Sequence, residues 1–475
     1  MAALYQPRRR GGYTLVMPTV VIAGAGLSGL ATAYRLLHLR PDLTLHVCEA
    51  APRPGGNIGT VERAGFRVEL GPNGFLDSKP AMRELCRDLG IAGELIPASE
   101  GSRKNRYVYH RGRVARLPAS PLGLLTTPLL SLRGKLDLLG EPFRRRGPGH
   151  DESVAAFARR RLGREAAGVF LEALVTGVHA ADWEQLSVAA AFPRLAHFEA
   201  AHGSLLRGVL AAGRVKKRQR RASGERYEPT RMWSFPTGLQ RLVDALRDRL
   251  GPHVRPHSPV TRVSRTLTGW MVLAGGDTLL ADAVVLTQPA PFQAECVADL
   301  DPALSADMAA IAYSPVAVVA LGYRAADCRG DLDGFGYIAP PSAGRPVLGV
   351  QWCSSIFPGR APPGHVLWRA LCGGATRPDV YALDDAPLTA TVHAEMRHAM
   401  GVRGDPVFAQ VVRWPRAIPH YTVGHPARVE RIDRAVALHP GLFVTGNAFR
   451  GVAMNDVAEQ AGLVAGRAAG FLAGA

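Results

Sequence analysis

"VVIAGAGLSGLATAYRLLHLRPDLTLHVCEA" fills residues 20–50, directly after "MPT", and its reading decides the fold. The β-branched run in "PTVVIAGAG" predicts a short buried strand. Gly24, Gly26 and Gly29 then form G-x-G-x-x-G. Leu27, Leu30, Tyr34 and Leu37 follow at helical spacing, and "LTLHVCEA" predicts a second strand ending in Glu49. Strand, glycine turn, helix, strand and acid in this order are the fingerprint of a dinucleotide site. Gly24 permits the tight turn, Gly26 lets the backbone approach a pyrophosphate, and Gly29 lets helix and strand pack closely. The helix N-terminus offers N–H groups and the positive end of its dipole. Glu49 can accept hydrogen bonds from two ribose hydroxyls and would repel a 2′-phosphate. An export reading also presents itself, because "RRRGGYTLVMPTVVIAGAG" has a basic start and an apolar stretch; its glycine pattern argues against that. Met17 is a plausible start, which would make residues 1–16 an unstructured extension.

Working outward, "EAAPRPGGNIGT" places Arg53 and the pair Gly55-Gly56 just after Glu49. A second glycine pair gives a second close backbone approach, and a basic residue between the motifs suits a long pyrophosphate ligand. This E-x3-R-x-G-G continuation resembles flavoproteins of the amine oxidase type, which bind FAD.

The bulk numbers agree with a large globular enzyme. The chain has 475 residues, enough for two or three domains, with 47% hydrophobic and 20% charged residues. The net charge of +17 is almost all arginine and favours acidic partners. Six cysteines, at 48, 86, 296, 328, 353 and 372, form no CxxC and no Cys/His cluster, so they read as reduced thiols, and no metal site is expected. Beyond the opening stretch no segment is long and apolar enough to suggest a membrane span.

Along the rest of the chain, "FRVELGPNGF" predicts a strand and a turn at residues 72–74, residues 80–97 a helix, and 106–118 a hairpin turning at Gly112. Residues 119–212 show helical periodicity throughout. "GRVKKRQRRASGE" (213–225) reads first as a solvated, mobile loop and second as a contact for anionic lipid headgroups. Strands return after residue 233, the block 303–415 reads as an antiparallel sheet with helical cover, and the end offers a strand (441–445), the Gly446-Asn447 turn and a closing helix. Gly451 precedes that helix, whose N-terminus can face the same ligand as the first. The nucleotide domain is therefore discontinuous.

At this point the ordered set "GAGLSGLATAYRL", "RPGGNIGT", "ELGPNGFLD", "NRYVYHRGRVARLP", "GVHAADWEQLSVAAAFPRL", "DGFGYIAP", "RWPRAIPHYTVGH" and "GLFVTGNAFRGVAMND" resembles the oxygen-dependent, FAD-containing protoporphyrinogen oxidase family of the flavin amine oxidase superfamily. The resemblance covers nearly all of residues 18–472. It implies an α/β fold: a Rossmann-like FAD-binding domain (18–80, 231–302 and 422–475), a mixed-sheet substrate domain (81–105 and 303–421) and an α-helical membrane-associating domain (106–230). It implies non-covalent FAD held by Gly24, Gly26, Leu27, Ser28, Gly29, Glu49, Ala50, Arg53, Gly55, Gly56, Gly71, Pro72, Asn73, Val260, Trp414, Gly446, Asn447, Val452 and Met454. It implies a porphyrinogen substrate anchored by one propionate on Arg106 and held between Phe335, Ile338 and Leu371. The expected reaction removes six electrons in three rounds, with O2 as the acceptor of each. No catalytic side chain is expected, because the flavin accepts the hydride. A cytoplasmic protein, peripheral on the inner face of the cell membrane, is expected, with no nucleic acid partner; a homodimer and a hand-off to ferrochelatase are compatible with the resemblance.

Departures from the family pattern lie at Gln351, where an apolar residue is common, at His420, and at Ala453-Met454. Three rivals stand beside this reading. A coproporphyrinogen III oxidase would use Arg103, Lys104, Arg111 and Arg113 for extra carboxylates. An amine oxidase commonly carries a late lysine near the flavin, yet no Lys follows Lys217 and no Cys follows Cys372. A Rab GDP-dissociation inhibitor would share the fold without a flavin.

Overall fold

The computed structural model describes residues 17–147, 149–223, 229–330 and 333–474; the extension expected at residues 1–16 lies outside them. The opening fingerprint folds as read. Thr19–Ala23 forms the central strand of a five-stranded parallel sheet, in the order Val254–Arg255, Thr44–Cys48, Thr19–Ala23, Ala283–Leu286, Leu442–Val444. A parallel strand covered on both faces needs a continuous apolar run, and Val20–Ala23, all buried, supply it. Val20 and Ile22 enter one core with the helices Leu27–Leu39, Gln240–Leu250 and Met454–Gly474. Val21 and Ala23 enter a second core, with the antiparallel strands of residues 260–281 and the helices Ala290–Val297, Pro302–Ala309 and His425–Ala437.

A second sheet of seven strands forms the floor of the site. Its order is Phe408–Pro419, Tyr313–Arg324, His365–Gly373, Gly349–Gln351, Gly336–Ile338, Tyr107–His110, Arg113–Arg116. Strand alternation divides its residues cleanly. Ala317, Val319, Leu321, Tyr323, Trp368, Ala370 and Cys372 point into a core covered by helix Asp385–Met400. Val316, Val318, Arg369 and Leu371 face the other way, towards the nucleotide layer.

Two expected boundaries are corrected. Residues 106–116, assigned to the helical unit, are the last two strands of this sheet, because Tyr107–His110 pairs in parallel with Gly336–Ile338. Residues 81–97, assigned to the substrate unit, pack into the nucleotide core through Met82, Leu85, Cys86 and Leu89, and only Ala81–Asp88 is α-helical there.

The described residues between 121 and 223 form a series of helices joined by short non-helical stretches, as the periodicity over 119–212 predicts. Their core holds a buried ionic knot. Arg161 pairs with Glu141, both almost completely buried. Glu141 also accepts hydrogen bonds from Ser204 Oγ at 2.6 Å and Leu205 N at 2.8 Å. Ser204 in turn caps the helix Leu205–Ser223, accepting from Arg207 N at 3.1 Å. That helix overturns the loop reading of the basic run: residues 213–223 are its second half, and residues 224–225 lie outside the described residues. Among the described residues no helix is long and apolar enough to cross a membrane.

Candidate active site

The glycine turn brings the two halves of the nucleotide motif together. Gly24 has φ +97°, reserved in practice for glycine, and donates its N–H to Cys48 O at 2.7 Å. A Cβ on Gly29 would stand 1.8 Å from Gly24 O, so the helix can sit this close only without a side chain there. Gly55 N donates to Ala25 O at 2.7 Å, bridging the first glycine motif to the second. The helix Leu27–Leu39 has neither a side-chain cap nor an acidic residue in its first turn, so its N–H groups stay available to an anion.

Glu49 stands where the ribose is expected. Its carboxylate accepts from Ala25 N at 2.7 Å and Ala51 N at 2.9 Å, one bond per oxygen, which leaves lone pairs free on both. Backbone bonds from Ser258 N to Glu49 O (2.7 Å) and from His257 N to Ala51 O (3.3 Å) bring Val260 and Ala50 into the same neighbourhood. Arg53 does something other than expected. Its guanidinium donates to the carbonyls of Pro54, Gly56 and Ile58, so it braces the second glycine loop while keeping its charge, which neutral carbonyls do not cancel.

Between the two sheets lies a cavity of about 390 Å3. Of the expected cofactor residues, Gly26, Leu27, Ser28, Gly55, Gly71, Pro72, Asn73, Trp414, Gly446, Asn447, Val452 and Met454 line it. Gly24, Gly29 and Gly56 build the turns behind it. Two side chains from the second sheet hold the Glu69–Gly71 backbone, just ahead of Asn73, in place. Arg369 donates to Glu69 O at 2.8 Å and Gly71 O at 2.7 Å, and Trp414 Nε1 donates to Leu70 O at 2.7 Å. On the other wall Tyr421 Oη donates to Asn447 O, and the Tyr421 ring stacks on His425 with centroids 4.2 Å apart. Burial drives His425 down to about 4 and His179, also beside Tyr421, down to about 4; both rings are neutral at physiological pH.

The cavity also carries unsatisfied polar groups. Ser28 Oγ, both amide groups of Asn73, Gln351 Oε1 and Arg369 Nε are buried without hydrogen-bond partners. Each such group costs about 1–3 kcal/mol when left unmade. Several of them around one cavity fit a polar ligand such as a flavin dinucleotide. Of these residues Ser28 and Asn73, with the two glycine loops and Glu49, would hold FAD.

The expected substrate residues divide. Leu371 lines the cavity. Arg106, Phe335 and Ile338 lie beyond it, further across the same sheet. Arg106 lies 4.7 Å over the Phe335 ring, and Ile338 packs under Gly177, where a Cβ would come within 2.6 Å of it. Arg106 is open to solvent, yet enough protein crowds it to lower its pKa. No carboxylate faces it among the described residues. Sequence reading missed Thr287, Tyr313, Val316, Arg369 and Arg416, which also line the cavity; the period-2 pattern of the long strands was the signal available for Val316 and Arg369.

The comparisons with known proteins agree with this geometry. The sequence pattern described as flavin containing amine oxidoreductase matches residues 27–469. The chain is 30% identical to the coproporphyrinogen III oxidase of Bacillus subtilis (strain 168) over 460 residues, covering 93% of this chain and 96% of the relative. It is 32% identical to the chloroplastic protoporphyrinogen oxidase of Nicotiana tabacum over 475 residues, covering 95% and 85%. A solved structure of a candidate protoporphyrinogen oxidase from Exiguobacterium sp. 255-15 superposes with a TM-score of 0.80 at 24% identity, covering 95% and 98%. Putrescine oxidase shares the fold, with a TM-score of 0.69 at 17% identity, covering 96% and 99%.

The chain belongs to the flavin-containing amine oxidoreductase family. Within it the chain is an FAD-dependent oxidoreductase, similar to the porphyrinogen oxidases.

Proposed function

We propose that this protein oxidises protoporphyrinogen IX to protoporphyrin IX, with FAD held non-covalently. The observation that carries the reading is the pairing of an apolar sheet face with Arg106, a cation that no carboxylate faces among the described residues. Val316, Val318 and Leu371 offer a greasy floor, and Arg106 offers a bidentate partner for a propionate. When bound, FAD accepts two electrons from the macrocycle in each of three rounds, and three O2 become three H2O2. The chain's own work is placement. Arg106 seats the acid tail, Phe335, Ile338 and Leu371 flank the rings, and Arg369 and Trp414 fix the Glu69–Gly71 backbone that leads into the cavity wall.

An absorbance spectrum of the purified protein, followed by anaerobic mixing with protoporphyrinogen, tests this. Bleaching of the flavin bands on mixing supports the assignment. A flavin-loaded protein that protoporphyrinogen leaves oxidised would overturn it, and a colourless protein that takes up no FAD would favour the binding-module rival.

The second reading, oxidation of coproporphyrinogen III, has support from the Bacillus relative. Of its four extra cations Arg113 is exposed and faces no carboxylate among the described residues, whereas the other three have acidic neighbours. Arg103 and Lys104 face Glu100, and Arg111 faces Glu165. Faster turnover of coproporphyrinogen than of protoporphyrinogen would nevertheless decide for it.

A peripheral seat on the inner face of the membrane belongs to the same proposal. Leu132, Leu136 and Phe143 are 80%, 68% and 86% exposed and follow one another along Leu132–Leu139 and the turn behind it. Val209 and Leu210 are exposed on the neighbouring helix Leu205–Ser223. Flotation with anionic liposomes at low salt is expected to carry the protein upward, and Leu136→Glu with Phe143→Glu to abolish this. Wild-type protein left at the bottom of the gradient would count against membrane contact.

A further inference from the structure

We propose that the side-chain amide of Gln351 is a positioning residue that accepts a hydrogen bond from the pyrrole N–H groups of a reduced tetrapyrrole. It thereby holds the hydrogen-rich substrate in preference to the oxidised product. The inference rests on the porphyrinogen reading above.

Gln351 lines the cavity, and its Oε1 is buried without a partner. Nothing in the described protein bonds either end of this amide, so no internal contact accounts for a polar group here. Its place in the sheet gives it a context. Gln351 pairs with Gly336 on one side and Arg369 on the other. One residue before the pair Tyr107↔Tyr337, Arg106 and Gly336 are neighbours. The row across the sheet therefore runs Arg106, Gly336, Gln351, Arg369. Gly336 cannot be filled in, because a Cβ would stand 1.9 Å from Val350 O. The guanidinium of Arg369 is already directed to Glu69 O and Gly71 O. The cavity side thus presents a free cation, a gap and a free amide, with the two polar residues two strand spacings, or roughly 10 Å, apart. That separation suits a carboxylate at one end and the inner nitrogens of the same macrocycle at the other.

The chemistry supplies the discrimination. In a porphyrinogen four pyrrole rings are joined by saturated carbons, so each N–H can tilt out of the mean plane towards an acceptor. Oxidation leaves two N–H groups, held in the plane of an aromatic macrocycle and turned towards the inner imine nitrogens. An acceptor above the ring is matched by the substrate and unmatched by the product, and a buried unmatched acceptor disfavours retention. No bond is made or broken at Gln351.

The test uses the FAD-loaded enzyme with two variants. Gln351→Met keeps length and removes the acceptor; Gln351→Glu keeps an acceptor. FAD content, KM and kcat for protoporphyrinogen, and inhibition by added protoporphyrin are measured for each. Gln351→Met is expected to raise KM about five-fold, the worth of one net hydrogen bond, with the inhibition constant of the porphyrin and the FAD content unchanged. Gln351→Glu is expected to return KM towards wild type. An unchanged KM, an equal shift of KM and the inhibition constant, or loss of FAD from Gln351→Met would each overturn the proposal. Wild-type enzyme that oxidises no porphyrinogen would instead overturn the functional reading itself.

Discussion

Among the described residues Arg106 is a cation without a counter-ion, stacked on an aromatic ring at the edge of an apolar floor. A charge-assisted hydrogen bond contributes about 1.5–3 kcal/mol, so Arg106→Ala is expected to lower kcat/KM for protoporphyrinogen by about 10- to 100-fold. Arg106→Lys should recover part of this, as a point charge without the bidentate fork; steady-state kinetics with both variants check it. A second prediction concerns His179 and His425, whose pKa burial lowers from 6.5 to about 4. Between those two values the unfolded chain takes up protons that the folded rings refuse. Their contribution is full above pH 6.5 and is lost as pH falls towards 4, by at most about 3 kcal/mol for each ring. His425→Phe keeps a ring against Tyr421 but cannot titrate, so its urea midpoint should decline less between pH 7 and 4.5. At this scale Gly24 and Gly29 were legible because each answers a backbone demand that no other residue type meets, and Glu49 because it is an acid at a fixed distance from the glycine turn. Arg53 was legible as basic, though not as a brace, because its partners are carbonyls set by the loop's own path. Arg106 came only through resemblance; its residue type alone fits any hairpin surface.

Among the elements, the knot of Arg161, Glu141 and Ser204 fastens the helices Val154–Leu162 and Leu205–Ser223 to the turn Glu141–Phe143. Removing one partner of a buried pair leaves the other charge stranded, at a cost of about 3–5 kcal/mol. Glu141→Leu is expected to destabilise this layer by that order, seen as faster amide hydrogen exchange in both helices. The basic run within Leu205–Ser223 shows what charge counting overlooks. Arg, Lys, Gln and Ala are strong helix formers, so once the apolar half of the helix is seated the charged half continues it. The hairpin at 107–116 was legible as a hairpin because its pattern is local. Its allegiance was not, because its partner strand begins at Gly336, more than two hundred residues away. The same distance hides which face of a long strand meets the cofactor, and so hid Arg369.

For the whole molecule, the cavity between the two sheets is already shaped by protein bonds, with its unmade polar contacts waiting on a ligand. Adding FAD to apoprotein at a hundred times its dissociation constant is expected to stabilise the fold by about 2.7 kcal/mol, read as a rise in the thermal midpoint. Little or no rise would mean that FAD does not bind the folded chain in preference to the unfolded one. The discontinuous plan was legible from motifs at both ends of the chain, since each carries its own glycine turn and helix.

That plan carries a consequence for synthesis. The first helix after the glycine turn packs against Met454–Gly474, and the sheet is finished only by Leu442–Val444. Chains emerge from the ribosome in order, and early segments wait for late partners. A nascent chain is therefore colourless until Leu442–Val444 and Met454–Gly474 have cleared the tunnel, and one stalled before that point would be unable to capture its yellow cofactor.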